Sequence, residues 1–243
     1  MPLIVNKEKY VVTARVNRPE SRNAVNFELM SKLEELLDQL ENDNETRLFI
    51  LTGTGDSFIS GGDLREFHGM DKADDAKIMT GRMLNILERI EKLPFWTLAV
   101  INGYAYGGGW ETMLVFDFRV AVKDAKIGFT QGKFYLPPGW GGIQRLKNSV
   151  NLSLAMFWLA SQKVISALEA KEAGIIHDVF NNEDLQSKTD QLKKNLTLND
   201  KTFIKYLKQS LRSENQLDEI EPFSQFWESS EHIERVEKFL KKK

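Results

Sequence analysis

Residues 98–119 read LAVINGYAYGGGWETMLVFDFR. An apolar, β-type run (Leu98-Ala99-Val100-Ile101) turns at Asn102-Gly103 and reaches three consecutive glycines, Gly107-Gly108-Gly109. A segment able to start a helix follows at once, with Glu111 in its first turn. Adjacent glycines cost backbone entropy and offer no side chain to pack, so the pattern points to something approaching that backbone closely. A helix N-terminus presents unpaired N–H groups and the positive end of a dipole, which suits an anion or a developing oxyanion. Glu111 adds a proton-transfer group near the same spot. The stretch alone equally suits a tight strand-to-helix corner with an ordinary first-turn acid.

Around this centre the chain has 243 residues, enough for one large domain or a domain with an appendage. A formal charge of −2 does not point to a general nucleic-acid or membrane-surface binder. Cysteine is absent, which removes disulfides and thiolate chemistry and fits a reducing compartment. No apolar run approaches a membrane span, and the first residues read as structure rather than as a targeting segment. These features predict a cytoplasmic protein with no membrane or nucleic-acid partner.

Upstream, Leu3–Val5 and Tyr10–Val16 read as strands joined through the polar Asn6-Lys7-Glu8-Lys9 as a hairpin. Asn26 is a good cap for a helix with Leu29, Met30, Leu33, Leu36, Leu37 and Leu40 on one face. Leu48–Leu51 reads as a buried strand. Phe58-Ile59-Ser60-Gly61-Gly62-Asp63-Leu64 is a second place where a strand gives way to glycines and a short helix. A long helix is expected from about Ala73 to Leu93, stopped by Pro94. Downstream come short strands at Arg119–Val122 and Lys126–Phe129, then a loop rich in turn formers from Gly132 to Gly142. Helices follow near Gly142, over Leu152–Ala160 and over Ser166–Ala173, then a strand over Ile175–Phe180. Beyond Glu183 the chain reads as helical and more charged. The expected organisation is an α/β core over 1–182 and a helical region over 183–243. The loose strand–strand–helix recurrence suits a spiral of turns better than a doubly wound sheet.

The two glycine corners together resemble the paired signatures of the crotonase (enoyl-CoA hydratase/isomerase) superfamily. The resemblance extends to Asn17-Arg18-Pro19, Asn23-Ala24-Val25-Asn26, Phe49-Ile50-Leu51, Asp117–Ala121, Gly141–Leu146 and Ala167–Ile176, in order along nearly the whole chain. It implies an α/β fold of ββα turns in a right-handed spiral, with a C-terminal helical region that builds trimers or dimers of trimers. It implies an acyl-CoA thioester as substrate, the coenzyme A moiety being part of that substrate, and no tightly bound cofactor. The three scattered histidines make no metal constellation.

By the same resemblance, Gly62 and Gly108 supply the two oxyanion-hole N–H groups and Glu111 is a catalytic acid/base. Arg22, Ala24, Ser60, Phe239 and Lys242 are implied in coenzyme A binding, together with Gly62 and Gly108. Asp63 reads as the cap of the helix after Gly62, and Trp110, Tyr135 and Trp140 as residues bordering an acyl pocket. Family hydratases carry a second glutamate in a stretch written roughly FG-x-P-E. Counted from Phe129, its place holds Lys133. A lysine there can hold Glu111 ionised if the two approach, or bind a carboxylate of the substrate; otherwise it is a solvated loop lysine. The expected activity is therefore that of an enoyl-CoA hydratase/isomerase. The alternatives are a methylmalonyl- or ethylmalonyl-CoA-type decarboxylase, which the Pro138–Gly142 segment resembles, and a non-catalytic acyl-CoA-binding homologue.

Overall fold

Parallel strands buried on both faces need helices to cover them, and the apolar run Leu48–Gly53 is buried at every position. The structure, a computed structural model, describes residues 1–70, 72–212 and 216–241. The chain opens with β1 (Leu3–Glu8), β2 (Val11–Val16) and α1 (Phe27–Asn42). Three turns follow: β3 (Leu48–Gly53), β4 (Ser57–Ile59), α2 (Leu64–Phe67) and α3 (Ala73–Lys92); β5 (Trp96–Ile101), β6 (Tyr104–Tyr106) and α4 (Gly108–Met113); then β7 (Phe118–Val122), β8 (Lys126–Gly128), α5 (Gly142–Ser149) and α6 (Leu152–Ala160). β9 (Val164–Ser166), α7 (Ala167–Glu172) and β10 (Asp178–Phe180) complete the sheets, and α8 (Leu185–Leu196), α9 (Lys201–Ser210), α10 (Ile220–Trp227) and α11 (Ser230–Leu240) end the chain.

Each turn places one strand in each of two sheets. The six-stranded sheet runs β1-β2-β3-β5-β7-β10 and the four-stranded one β4-β6-β8-β9. All pairings are parallel except β1 with β2 and β8 with β9. This is a stacked α/β spiral. Its core lies between the sheets and the helices. Asn26 caps α1 by accepting from the Leu29 amide, and α1 buries Leu29, Met30, Leu33, Leu36, Leu37 and Leu40. Each such side chain contributes at most about 1.5–3 kcal/mol. A smaller apolar cluster on the other face of the large sheet (Val11, Leu48, Ile50, Leu98, Val100, Val120) is covered in part by Leu185, Leu192 and Leu196 of α8.

Three sequence expectations are corrected. Asn6, Lys7 and Glu8 belong to β1 rather than to the hairpin loop, because an edge strand can face solvent along its length and pair through its backbone alone. The turn is left to Lys9 and Tyr10. The strand expected from Ile175 begins only at Asp178, since the amides of Ile175 and Ile176 both donate to the Ala170 carbonyl in closing α7. Between Asn102-Gly103 and the glycine triplet lies an additional strand, β6. It proves decisive for the site.

The C-terminal helices divide in two. α9 is tied down by Lys208, whose buried ammonium donates to the Phe95 carbonyl (2.9 Å) and Asp117 Oδ2 (2.6 Å). α10 and α11 leave Phe223, Trp227, Ile233 and Phe239 exposed. No described helix is long and apolar enough to cross a membrane.

Candidate active site

β4 and β6 are parallel neighbours in the small sheet, pairing Ser57 with Tyr104 and Ile59 with Ala105. Parallel strands end on the same side, so the loops that leave them, Ser60–Asp63 and Gly107–Gly109, emerge next to each other. Their contact is backbone to backbone. A Cβ on Gly61 would lie 3.4 Å from both the Gly108 nitrogen and the Tyr106 oxygen. Each glycine of the triplet has its own cause. Gly107 has φ +52°, a Cβ on Gly108 would lie 2.0 Å from the Trp140 ring, and one on Gly109 would lie 1.8 Å from the Ile59 carbonyl oxygen.

The main-chain hydrogen bonds leave two amides over. Val25 bridges the first loop, donating to the Gly61 carbonyl and accepting from the Asp63 amide, both at 2.8 Å. The Gly62 N–H between them donates to no described residue. Gly107 donates to the Gly128 carbonyl (3.0 Å) and Trp110 to Gly107 (3.2 Å). Gly108, the first residue of α4, has no acceptor within its helix. The indole of Trp140 is packed against both glycines on the side where a Cβ would project, and Phe67 flanks Gly62 as well. Asp63 holds the first loop from behind. Its side chain accepts from the Arg65 amide at the start of α2 and pairs with Arg18 at 2.8 Å.

Glu111 follows on α4 with 2 % of its surface exposed. Its Oε2 accepts from the Trp140 amide (2.8 Å) and the Gly142 amide (2.9 Å), and its Oε1 accepts from Gln131 Nε2 (2.9 Å). The start of α5 is therefore capped by a side chain distant in sequence, since its own capping residue is a glycine, Gly141. Burial pushes the Glu111 carboxyl above its usual range. The amides of Gly142 and Trp140 and the Gln131 side chain pull it part of the way back.

Gln131 is the side chain that the sequence reading missed. Its Oε1 accepts from Trp110 Nε1 at 3.0 Å, and because an indole N–H only donates and a carboxylate only accepts, the amide has one orientation. Lys133, by contrast, is exposed at the end of a short 3-10 turn and makes no contact with Glu111 among the described interactions. The packing points to a different anchor for the count. Phe129 is buried, ringed by Trp110 and Trp158, whereas Gly128 ends β8 under the Tyr106 ring, where a Cβ would lie 2.5 Å from it. Counting FG-x-P-E from Ile127-Gly128 puts Gln131 in the glutamate's place.

The segment expected at the nucleotide end of coenzyme A lies beside the first glycine loop. Ser60 Oγ donates to the Ser21 carbonyl (3.3 Å). Arg22 is exposed, and Arg22 and Asn23 both adopt left-handed backbone, with φ 53° and 58°. Asn23 sustains that conformation: fully buried, it accepts from the Arg18 amide and donates to the carbonyls of Thr54 and Ser57. Ala24 is buried, its carbonyl accepting from Arg18. Phe239 stands exposed on α11, and no described hydrogen bond or ring contact joins it to the glycine loops. Lys242 lies outside the described residues. His68 is exposed at the end of α2.

Comparison with known proteins identifies the family. The family model described as enoyl-CoA hydratase/isomerase matches residues 6–239. A short-chain-enoyl-CoA hydratase of Clostridium acetobutylicum is 28 % identical, over 99 % of this chain and 95 % of its own. The crystal structure of an enoyl-CoA hydratase from Bacillus anthracis superposes with a TM-score of 0.92 at 28 % identity, covering 100 % of this chain and 97 % of the other. One from Mycobacterium smegmatis shares the fold, with a TM-score of 0.93 at 22 % identity, covering 100 % and 97 %. Matched from the first strand to the last helix, the chain belongs to the enoyl-CoA hydratase/isomerase family.

Proposed function

We propose that the Gly62 and Gly108 amides receive the carbonyl oxygen of an acyl-CoA thioester and that Glu111 moves a proton at the carbons beside it. The observation that carries this is the pair of unspent N–H groups on touching loops, with a buried carboxylate in the helical turn that one of them opens. Removing a proton next to a thioester sends charge onto the carbonyl oxygen. Fixed donors aimed at that oxygen lower the barrier by about 2.7–4 kcal/mol each, and a positioned acid/base adds about 10²–10⁴ in rate. Both needs are met without a bound cofactor. Arg22, Ala24 and Ser60, beside the first loop, are the residues we assign to the coenzyme A moiety, with the Arg22 guanidinium suited to a phosphate.

Malonyl-type decarboxylation through Lys133 would need that lysine to meet a substrate carboxylate beside Glu111, and Lys133 is exposed with no described contact to Glu111. The exposed apolar side chains of α10 and α11 support assembly into a homotrimer or a dimer of trimers.

The test is turnover of 2-enoyl-, 3-enoyl- and methylmalonyl-CoA by the purified protein and by Glu111→Ala. Conversion of an enoyl thioester, falling at least about 100-fold in the variant, is the expected result. As a base Glu111 must be ionised, so kcat/KM should fall on acidification, around a midpoint above the usual glutamate value of about 4.3. Decarboxylation without enoyl turnover, or tight binding of every thioester with no turnover, overturns the assignment.

A further inference from the structure

Glu111 accepts three described hydrogen bonds, of which two come from backbone amides, and the Gly139 amide also acts on it. Gln131 supplies the third, and no other described side chain touches that carboxylate through a hydrogen bond or ion pair. The amide is held at both ends, by Trp110 Nε1 on its oxygen and by Glu111 on its nitrogen, and the indole is itself fully buried. A carboxamide has no acid or base form near neutral pH with which to carry a proton in turnover, and one fixed by two opposed partners cannot turn to become a relay. We infer that Gln131 is a positioning residue that leaves the site with a single proton carrier and so biases it toward shifting a double bond rather than adding water across one.

This inference rests on the function proposed above. The bond shift closes with one carboxylate. Glu111 takes a proton from the α-carbon of a 3-enoyl thioester. The electrons of the broken C–H bond move onto the thioester oxygen, giving a dienolate whose charge lies at the Gly62 and Gly108 amides. The same proton is then delivered to the γ-carbon as the carbonyl re-forms, leaving the double bond between the α- and β-carbons. No co-reactant enters and none leaves. Water addition is different. The water must lose a proton while its oxygen bonds to the β-carbon, and the α-carbon must gain one. Gln131 keeps a second N–H and a second lone pair and so can hold a water, but it cannot take that water's proton, and Glu111 alone would have to take it and return one to carbon. Hydration is thus the slower reaction in this site.

The experiment compares kcat/KM for isomerisation of a 3-enoyl-CoA with that for hydration of crotonyl-CoA, in the full-length protein, Gln131→Glu, Gln131→Leu and Glu111→Gln. The wild type should isomerise at least tenfold faster than it hydrates. Gln131→Glu should raise hydration relative to isomerisation by at least tenfold. Gln131→Leu, which needs no new charge in the interior, removes a donor to the ionised carboxylate. It should shift the acid limb of the isomerisation pH profile to higher pH, an effect that a residue serving packing alone would not produce. A wild type that hydrates as fast as it isomerises overturns the inference. So does a folded Gln131→Glu protein whose ratio stays within twofold, or a Gln131→Leu profile that does not move. If Glu111→Gln abolishes turnover while the Gln131 variants change nothing, the proposed function stands and this inference falls. If no thioester is converted at all, both fall.

Discussion

Glu111 and Trp227 show opposite treatments of a residue that would be misplaced in isolation. Glu111 is a charged group in the interior, and the fold surrounds it with donors from α5, from the loop before it and from Gln131. Trp227 is a large apolar group 61 % exposed, its ring contacts among the described residues being tilted ones with Phe223, itself equally exposed, and with His232. α9 lies between these extremes, its Lys208 satisfied by Asp117 and the Phe95 carbonyl. The difference separates a part of the molecule that is complete within one chain from a part whose apolar side is left uncovered. A carboxylate must be satisfied locally because its burial is costly, whereas an apolar face can be left for association to cover.

That contrast can be broken first at the glycines. Gly108→Ala drives a methyl group into the Trp140 indole. It should cost about 1–3 kcal/mol in chemical denaturation and lower turnover as the loop shifts; an unchanged denaturation midpoint would mean that the interior beside Glu111 is looser than described. At the other pole, Phe223→Ser combined with Trp227→Ser should leave the fold of the single chain intact and abolish assembly. The measurement is sedimentation mass together with the protein-concentration dependence of Tm, which association confers and its loss removes. A wild type that sediments as a single chain would show that the exposed face is not an assembly surface. The smallest effect belongs to Lys133→Ala, expected to stay within twofold of wild-type kcat/KM, with stability changed by no more than about 0.5 kcal/mol. A larger kinetic loss would return that lysine to the site.

The sequence carried much of this arrangement, for identifiable reasons. Periodic leucines and a capping asparagine mark α1 because both signals are local. The glycine corners are legible because steric exclusion leaves a visible residue, although what excludes the side chain differs at each position and comes from Trp140, Ile59 or the backbone torsion. The nearness of Gly62 and Gly108 was not derivable from spacing. It follows from β4 and β6 being parallel neighbours, and β6 is a three-residue strand too short to show alternation. Gln131 was hidden by a two-residue ambiguity in where to start counting. Phe129 looks like the anchor in the linear chain. Only the Tyr106 ring above Gly128 shows that the glycine is the constrained position. The paired use of Trp140, with its amide on Glu111 and its ring on Gly108, depends on the path of a loop that composition does not fix.

The two oxygens of Glu111 divide their labour. Oε2 receives the Trp140 and Gly142 amides and so anchors the first turn of α5, while Oε1 receives the Gln131 amide. In the proposed reaction a travelling hydrogen would ride on Oε1, the atom that does not hold the start of α5. The helix could then stay moored through every catalytic cycle, with chemistry on one side of the carboxyl group and architecture on the other.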